Sequence, residues 1–236
     1  MKQSAQDLSL AAWIKDGLKI LKNHPGALIG ALLMLCTLEG AVDALAVLPY
    51  GDVASIVIAF LITPLYVGWM LFCLKGLRGE PMRIGDIFGV YARFGPLMAS
   101  FFLYLLLFIG GSAFFAVPGF YLAVKFMFAA LALMDRDFNV AGAFRYSDEI
   151  TKGHKWRLLA LFLLCVVPGL TLMVLGMLHE HRVLETAWHA PYNFAFGFAF
   201  GLLLILPMGL FYASSYESLA KNRDNASETS PHSALA

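Results

Sequence analysis

Three charged residues stand inside long apolar runs, and their side chains are the ones best placed to do chemistry. Glu39 and Asp43 occur four apart in TLEGAVDAL, hence on one face of a helix. Lys125 lies in VPGFYLAVKFMFAALALMD, residues 117–135, which is otherwise almost continuous hydrocarbon. A charge at the centre of a membrane helix costs about 2.5–3.5 kcal/mol even on the gentler insertion scales, so each needs a partner or a task. By helical rise, Lys125 lies roughly 15 Å and Glu39 roughly 18 Å above the inner ends of their runs. The expectation is that Lys125 neutralises Glu39, or failing that Asp43, inside a bundle. The alternative makes Glu39, Asp43 and Lys125 the proton or substrate site of a small secondary transporter.

Other chemistry is hard to assemble. Histidine with carboxylate can hold zinc, and the segment HEHRVLETAWHAPY supplies His181, Glu185 and His189. Residues 181 and 185 have one-turn spacing, but solvated loop side chains are the plainer reading, so neither a metal nor a cofactor is expected. The chain has no His-Glu-x-x-His, G-x-S-x-G, phosphate-binding glycine loop or Cys-x-x-Cys. Gly110-Gly111-Ser112 lacks a histidine in any predicted span to act as base. A non-enzymatic protein is expected.

The elements that must position these residues follow from composition. The chain is 60% hydrophobic and 14% charged, with a mean hydropathy of +0.73, unlike the quarter-charged profile of soluble domains. Its apolar runs reach spanning length, which is about 20 residues for a helix. Six spans are predicted: 27–48, 53–75, 96–114, 116–134, 157–178 and 193–216. This is an all-α, polytopic helical bundle forming one integral membrane domain over residues 1–220. A polar tail, residues 221–236, is expected to be disordered. Of the 17 Lys and Arg, only Lys125 and Arg182 fall off one side of this arrangement. The positive-inside bias therefore places both termini in the cytoplasm. Cys36, Cys73 and Cys165 all fall within spans, which argues against a disulfide framework. The N-terminus is broken by charges and shows no cleavable signal, and nothing in the charge distribution points to nucleic acid.

Three segments rhyme. Each begins with a short amphipathic helix, at 8–22, 84–94 and 140–151, and then enters a hairpin of two spans. We read a threefold repeat of amphipathic helix plus hairpin. The apolar faces, with Trp13, Phe88, Tyr91 and Phe144, are expected towards acyl chains. Lys15, Lys19, Lys22, Arg93, Arg145, Lys152, Lys155 and Arg157 form a belt suited to anionic headgroups. Gly26-x-x-x-Gly30 and Gly197-x-x-x-Gly201 would let helices approach closely within the bundle.

A Pro-Gly turn leads into the opening run: Pro118, Gly119, Tyr121, Leu122, Val124, Lys125, then Asp135 at its end. It is followed by AFRYSDEITKGHKWRLLALFLL, with Ala143, Thr151, Lys152, Gly153, Lys155 and Trp156. Together with PLYVGWMLFCLKGLRGEPMRIGDIF, this pattern resembles a family of bacterial six-helix inner-membrane proteins of unknown function. That family is related to the membrane domain of some glycerophosphoryl diester phosphodiesterases. The resemblance covers residues 10–220 and implies a six-helix fold in the bacterial inner membrane. It implies no chemistry, because the phosphodiesterase itself is a separate barrel that this chain does not contain. The expected partners are membrane lipids, preferentially anionic, and other membrane proteins that the chain scaffolds or assists.

Overall fold

The computed structural model describes residues 8–45, 51–114, 116–183 and 189–228. Among them there is no strand. The helices are α1 (Leu10–Asn23), α2 (Pro25–Leu45), α3 (Gly51–Arg78), a 3₁₀ helix (Ile84–Arg93), α4 (Phe94–Phe114), α5 (Ala116–Phe126), α6 (Ala129–Asp135), α7 (Val140–Thr151), α8 (Lys155–Val183), α9 (His189–Pro207), a π-helical turn (Met208–Tyr212) and α10 (Ala213–Glu228). Among the described residues, five helices are long and apolar enough to cross a membrane. A sixth is added if α7 and α8, which meet at a bend of 105°, are taken together. The chain is a multi-pass membrane protein.

Local chemistry explains several boundaries. The Ser9 hydroxyl accepts from Ala12 N at 3.2 Å and starts α1, and the Asn139 side chain accepts from Gly142 N at 2.7 Å and starts α7. The α7–α8 bend turns on Gly153 at φ +80°, a left-handed conformation open to glycine at little cost. After α9, Pro207 has no N–H to donate, and the chain widens into the π turn. There the Trp69 indole Nε1 donates to the Ile205 carbonyl at 2.7 Å, so that carbonyl is not left bare in the core.

One expected element is refined and one corrected here. The predicted span 116–134 is present as an apolar run of spanning length over Pro118–Asp135, interrupted by a turn at Met127–Phe128 between α5 and α6. The reason is in α7, where the Ser147 hydroxyl accepts from Phe128 N at 3.3 Å and donates to the Lys125 carbonyl at 3.0 Å. The Thr151 hydroxyl lies 3.3 Å from the same carbonyl. Hydroxyls from a neighbouring helix thus take over groups that the helix ladder has released. The tail is also not disordered from residue 221, because α10 runs on to Glu228. It is held by Arg223 to Glu149 at 2.5 Å and by Asp224 to Arg136 at 2.7 Å. Residues 229–236 lie outside the described residues.

The core gathers where α1, α3, α6, α7, α10 and the π turn meet, around Trp13, Trp69, Phe72, Phe128 and Tyr216, all fully buried. Trp13 and Phe144 therefore face protein and not acyl chains, whereas Phe88 and Tyr91 remain exposed. Ser214 ties α10 to α1 by donating to the Trp13 carbonyl at 2.6 Å. The spans leave large apolar side chains bare, among them Ile56 and Leu106, as surfaces bathed in lipid do. The second glycine pair works as expected. A Cβ on Gly197 would fall 2.3 Å from the Asp43 carboxylate, and one on Gly40 would fall 2.6 Å from the Phe194 carbonyl, so α2 and α9 pack nearly backbone to backbone. Gly26 has nothing near it, and Gly30 meets only the tip of Ile84.

Candidate functional site

The run that ends at Asp135 and the segment that follows it meet at the corner of α5, α7 and α8. The hydroxyl clamp on the Lys125 carbonyl sets α7 across the α5–α6 break, and Gly153 then turns the chain so that α8 runs beside α5. Lys125 does not meet Glu39. Its ammonium lies 3.4 Å from Asp148 Oδ2 on α7 and 4.9 Å from the centroid of its neighbour Phe126. Lys152 reaches the same carboxylate oxygen at 3.9 Å. Lys155, the first residue of α8, donates to the Tyr121 hydroxyl and lies 4.0 Å from the centroid of that ring.

Beside this pair α5 and α8 splay to leave a groove of about 490 Å³, walled by Phe120, Tyr121, Val124, Lys155, Trp156, Leu159 and Leu163. That volume lies within the range of about 300–1,000 Å³ usual for ligand sites. Its walls are almost wholly apolar, with the polar atoms gathered at the Tyr121–Lys155 end. Trp156 at its edge is 84% exposed. His154, in the turn before α8, has its pKa lowered from 6.5 by burial first and then by the nearby Arg157 guanidinium.

The acids expected to complete the Lys125 cluster sit elsewhere. On α2, Glu39 accepts a hydrogen bond from the Tyr66 hydroxyl of α3. Asp43, one turn on, packs against Gly197 of α9. The pairing of Lys125 with Glu39 or Asp43, and with it the three-charge site, is thereby corrected. Similar depths along separate helices do not bring Lys125 and Glu39 together, because α7 packs across α5 and carries the nearer acid, Asp148.

The expected headgroup belt divides into two groups. Arg93 is turned inward, donating to the Leu133 and Phe138 carbonyls at 2.9 and 3.0 Å and to Asp137 at 2.6 Å, so it is a strut between elements. Lys19 pairs with Asp16 at 2.6 Å. Arg157 donates to the Leu8 carbonyl at 2.9 Å, a bond that ties the start of α8 to the segment before α1. Lys15, Lys22 and Arg145 are exposed, with no carboxylate partner among the described residues.

Sequence reading missed the most connected polar centre among the described residues. Arg78, at the end of α3, reaches Asp135 of α6 through Nη1 at 2.5 Å and Nη2 at 3.1 Å. It also reaches Glu217 of α10 through Nη2 at 2.8 Å and Nε at 3.0 Å. The Tyr216 hydroxyl adds a bond to Asp135 at 2.9 Å. The available signal was an arginine and an acid each ending an apolar run, with Glu217 inside a run of small residues.

Of the metal candidates, Glu185 and the side chains of His181 and His189 lie outside the described residues. Among the described residues no three histidine, cysteine or acidic side chains gather as a metal site would need. Comparison of the chain with protein-family models, with curated proteins and with solved structures gives no match.

Proposed function

We propose that this chain is a non-enzymatic protein of a bacterial inner membrane, with both termini in the cytoplasm, that binds anionic lipids and through them supports partner membrane proteins. The single observation that carries the reading is the surplus of uncompensated cation on the short helices. Lys15, Lys22 and Arg145 are exposed without a carboxylate partner among the described residues, and Lys125 and Lys152 share one acid. Each basic side chain near an anionic surface contributes about 1 kcal/mol, so even a few make a preference. The short amphipathic helix ahead of each hairpin, read as a threefold repeat in one orientation, would present these charges at one leaflet. The resemblance to six-helix bacterial inner-membrane proteins agrees with this placement.

The test is lipid enrichment. Protein purified in detergent would be incorporated into nanodiscs from equal parts phosphatidylglycerol and phosphatidylcholine, and the lipids retained after re-extraction counted by native mass spectrometry. Phosphatidylglycerol should be enriched, less so at high salt, and the triple change Lys15→Gln, Lys22→Gln, Arg145→Gln should reduce the enrichment. Equal retention of the two lipids by the unaltered protein would defeat the reading.

A further inference from the structure

We propose that the groove between α5 and α8 holds one acyl chain of an anionic glycerophospholipid, whose phosphate sits on Lys155 and Tyr121. The proposal deepens the lipid-binding reading and rests on it, because it names one site where that reading names only a surface.

Shape and charge are arranged along one line. At one end the Lys155 ammonium spends a single hydrogen bond on a neutral phenol, and its remaining N–H groups have no carboxylate among the described residues. Lys125 and Lys152 share the single carboxylate of Asp148, and Lys155 adds a third ammonium on α8, the helix that follows. A phosphodiester supplies the missing negative charge together with several acceptor oxygens. From that end the apolar wall runs away along α8. Leu163, Val167, Leu170 and Val174 are all exposed at a spacing that keeps them on one stripe, extending roughly 16 Å along the axis. A straight hydrocarbon stripe with a cation at one end matches a lipid. A packing helix from another protein would match the stripe but would have no use for the cation. Trp156, beside the charged end, is an amphipathic ring of the kind that favours the headgroup boundary.

The experiment uses quenching of tryptophan fluorescence by lipids with brominated acyl chains, titrated into the purified full chain in detergent. The Trp156 signal is the difference between the unaltered protein and Trp156→Phe. Brominated phosphatidylglycerol should quench that signal at lower concentration than brominated phosphatidylcholine. Lys155→Gln should raise the phosphatidylglycerol concentration needed by about fivefold, the worth of one basic side chain at an anionic surface. Lys155→Arg should restore most of it. Leu163→Phe, which fills the groove without touching the charge or adding a tryptophan, should weaken quenching by both lipids. Each variant is used only if it elutes as a single species with unchanged helicity.

Equal quenching by the two lipids, or no effect of Lys155→Gln, would overturn the proposal. If phosphatidylglycerol enrichment in nanodiscs persists in that case, only the groove assignment falls. If the enrichment is absent as well, the wider reading falls with it. A groove covered by a second copy of this chain would leave Trp156 unquenched by either lipid and would let Trp156→Cys cross-link to itself, which also overturns the proposal.

Discussion

Arg78→Met should be among the most damaging single changes in this protein. The guanidinium joins α3, α6 and α10 through four hydrogen bonds to two carboxylates, and the Asp135 side chain beneath it is only 5% exposed. Arg78 itself is 29% exposed on its side chain, sheltered enough that solvent screens it weakly. Breaking a buried pair by removing one partner typically costs about 3–5 kcal/mol, because the other charge is stranded. Here both acids keep some support: Asp135 retains Tyr216 at 2.9 Å and Arg136 at 3.5 Å, and Glu217 retains Lys221 at 2.9 Å. The loss should therefore fall near the lower end, about 3 kcal/mol. Arg78→Lys keeps the charge but loses the fork that serves two acids at once, and should cost about half as much. Replacing Arg78, Asp135 and Glu217 together by leucine should recover most of the stability, because no charge is then left buried. The assay is equilibrium unfolding of the detergent-purified protein by added sodium dodecyl sulfate, followed by helicity. A loss below about 1 kcal/mol for Arg78→Met, the value of an exposed surface pair, would refute the reasoning.

Three further outcomes follow from the same structure. In double-mutant cycles, Lys125→Met and Asp148→Asn should couple, whereas Lys125→Met and Glu39→Gln should add, as distant sites do; unfolding free energies decide between the two pairings. Gly40→Val drives a branched side chain into the Phe194 carbonyl and should destabilise by at least about 1–3 kcal/mol, read as loss of monodisperse protein on heating in detergent. His154 has a folded pKa below its unfolded value of 6.5, so the unfolded chain binds the proton first. Its contribution to stability is present above pH 6.5 and is lost as pH falls through the folded value. His154→Gln should flatten that part of the stability–pH curve, and an unchanged slope would contradict the assignment.

The helical, membrane-crossing character of this protein is legible along the chain itself, because hydropathy and span length are sums over neighbouring residues. The three amphipathic segments were legible too, for the same reason, and the structure has helices at Leu10–Asn23, Ile84–Arg93 and Val140–Thr151. Even the need of Lys125 for a partner follows from the apolar residues beside it. Its choice of partner does not. Asp148 reaches Lys125 only because Ser147 and Thr151, one turn apart on α7, dock on the broken α5–α6 backbone, and that docking is a long-range event with no local signature. Likewise, Arg78, Asp135 and Glu217 each end or interrupt an apolar run, but nothing in those runs says that the three belong to one centre. The aromatic faces show the same division. Amphipathicity determines that Trp13 and Phe144 turn away from water, but whether hydrocarbon or protein receives them depends on what packs there, and α10 and the α5–α6 break occupy those places. A free energy of transfer is nearly the same into either medium, so burial can be read from one chain segment while the identity of the neighbour cannot.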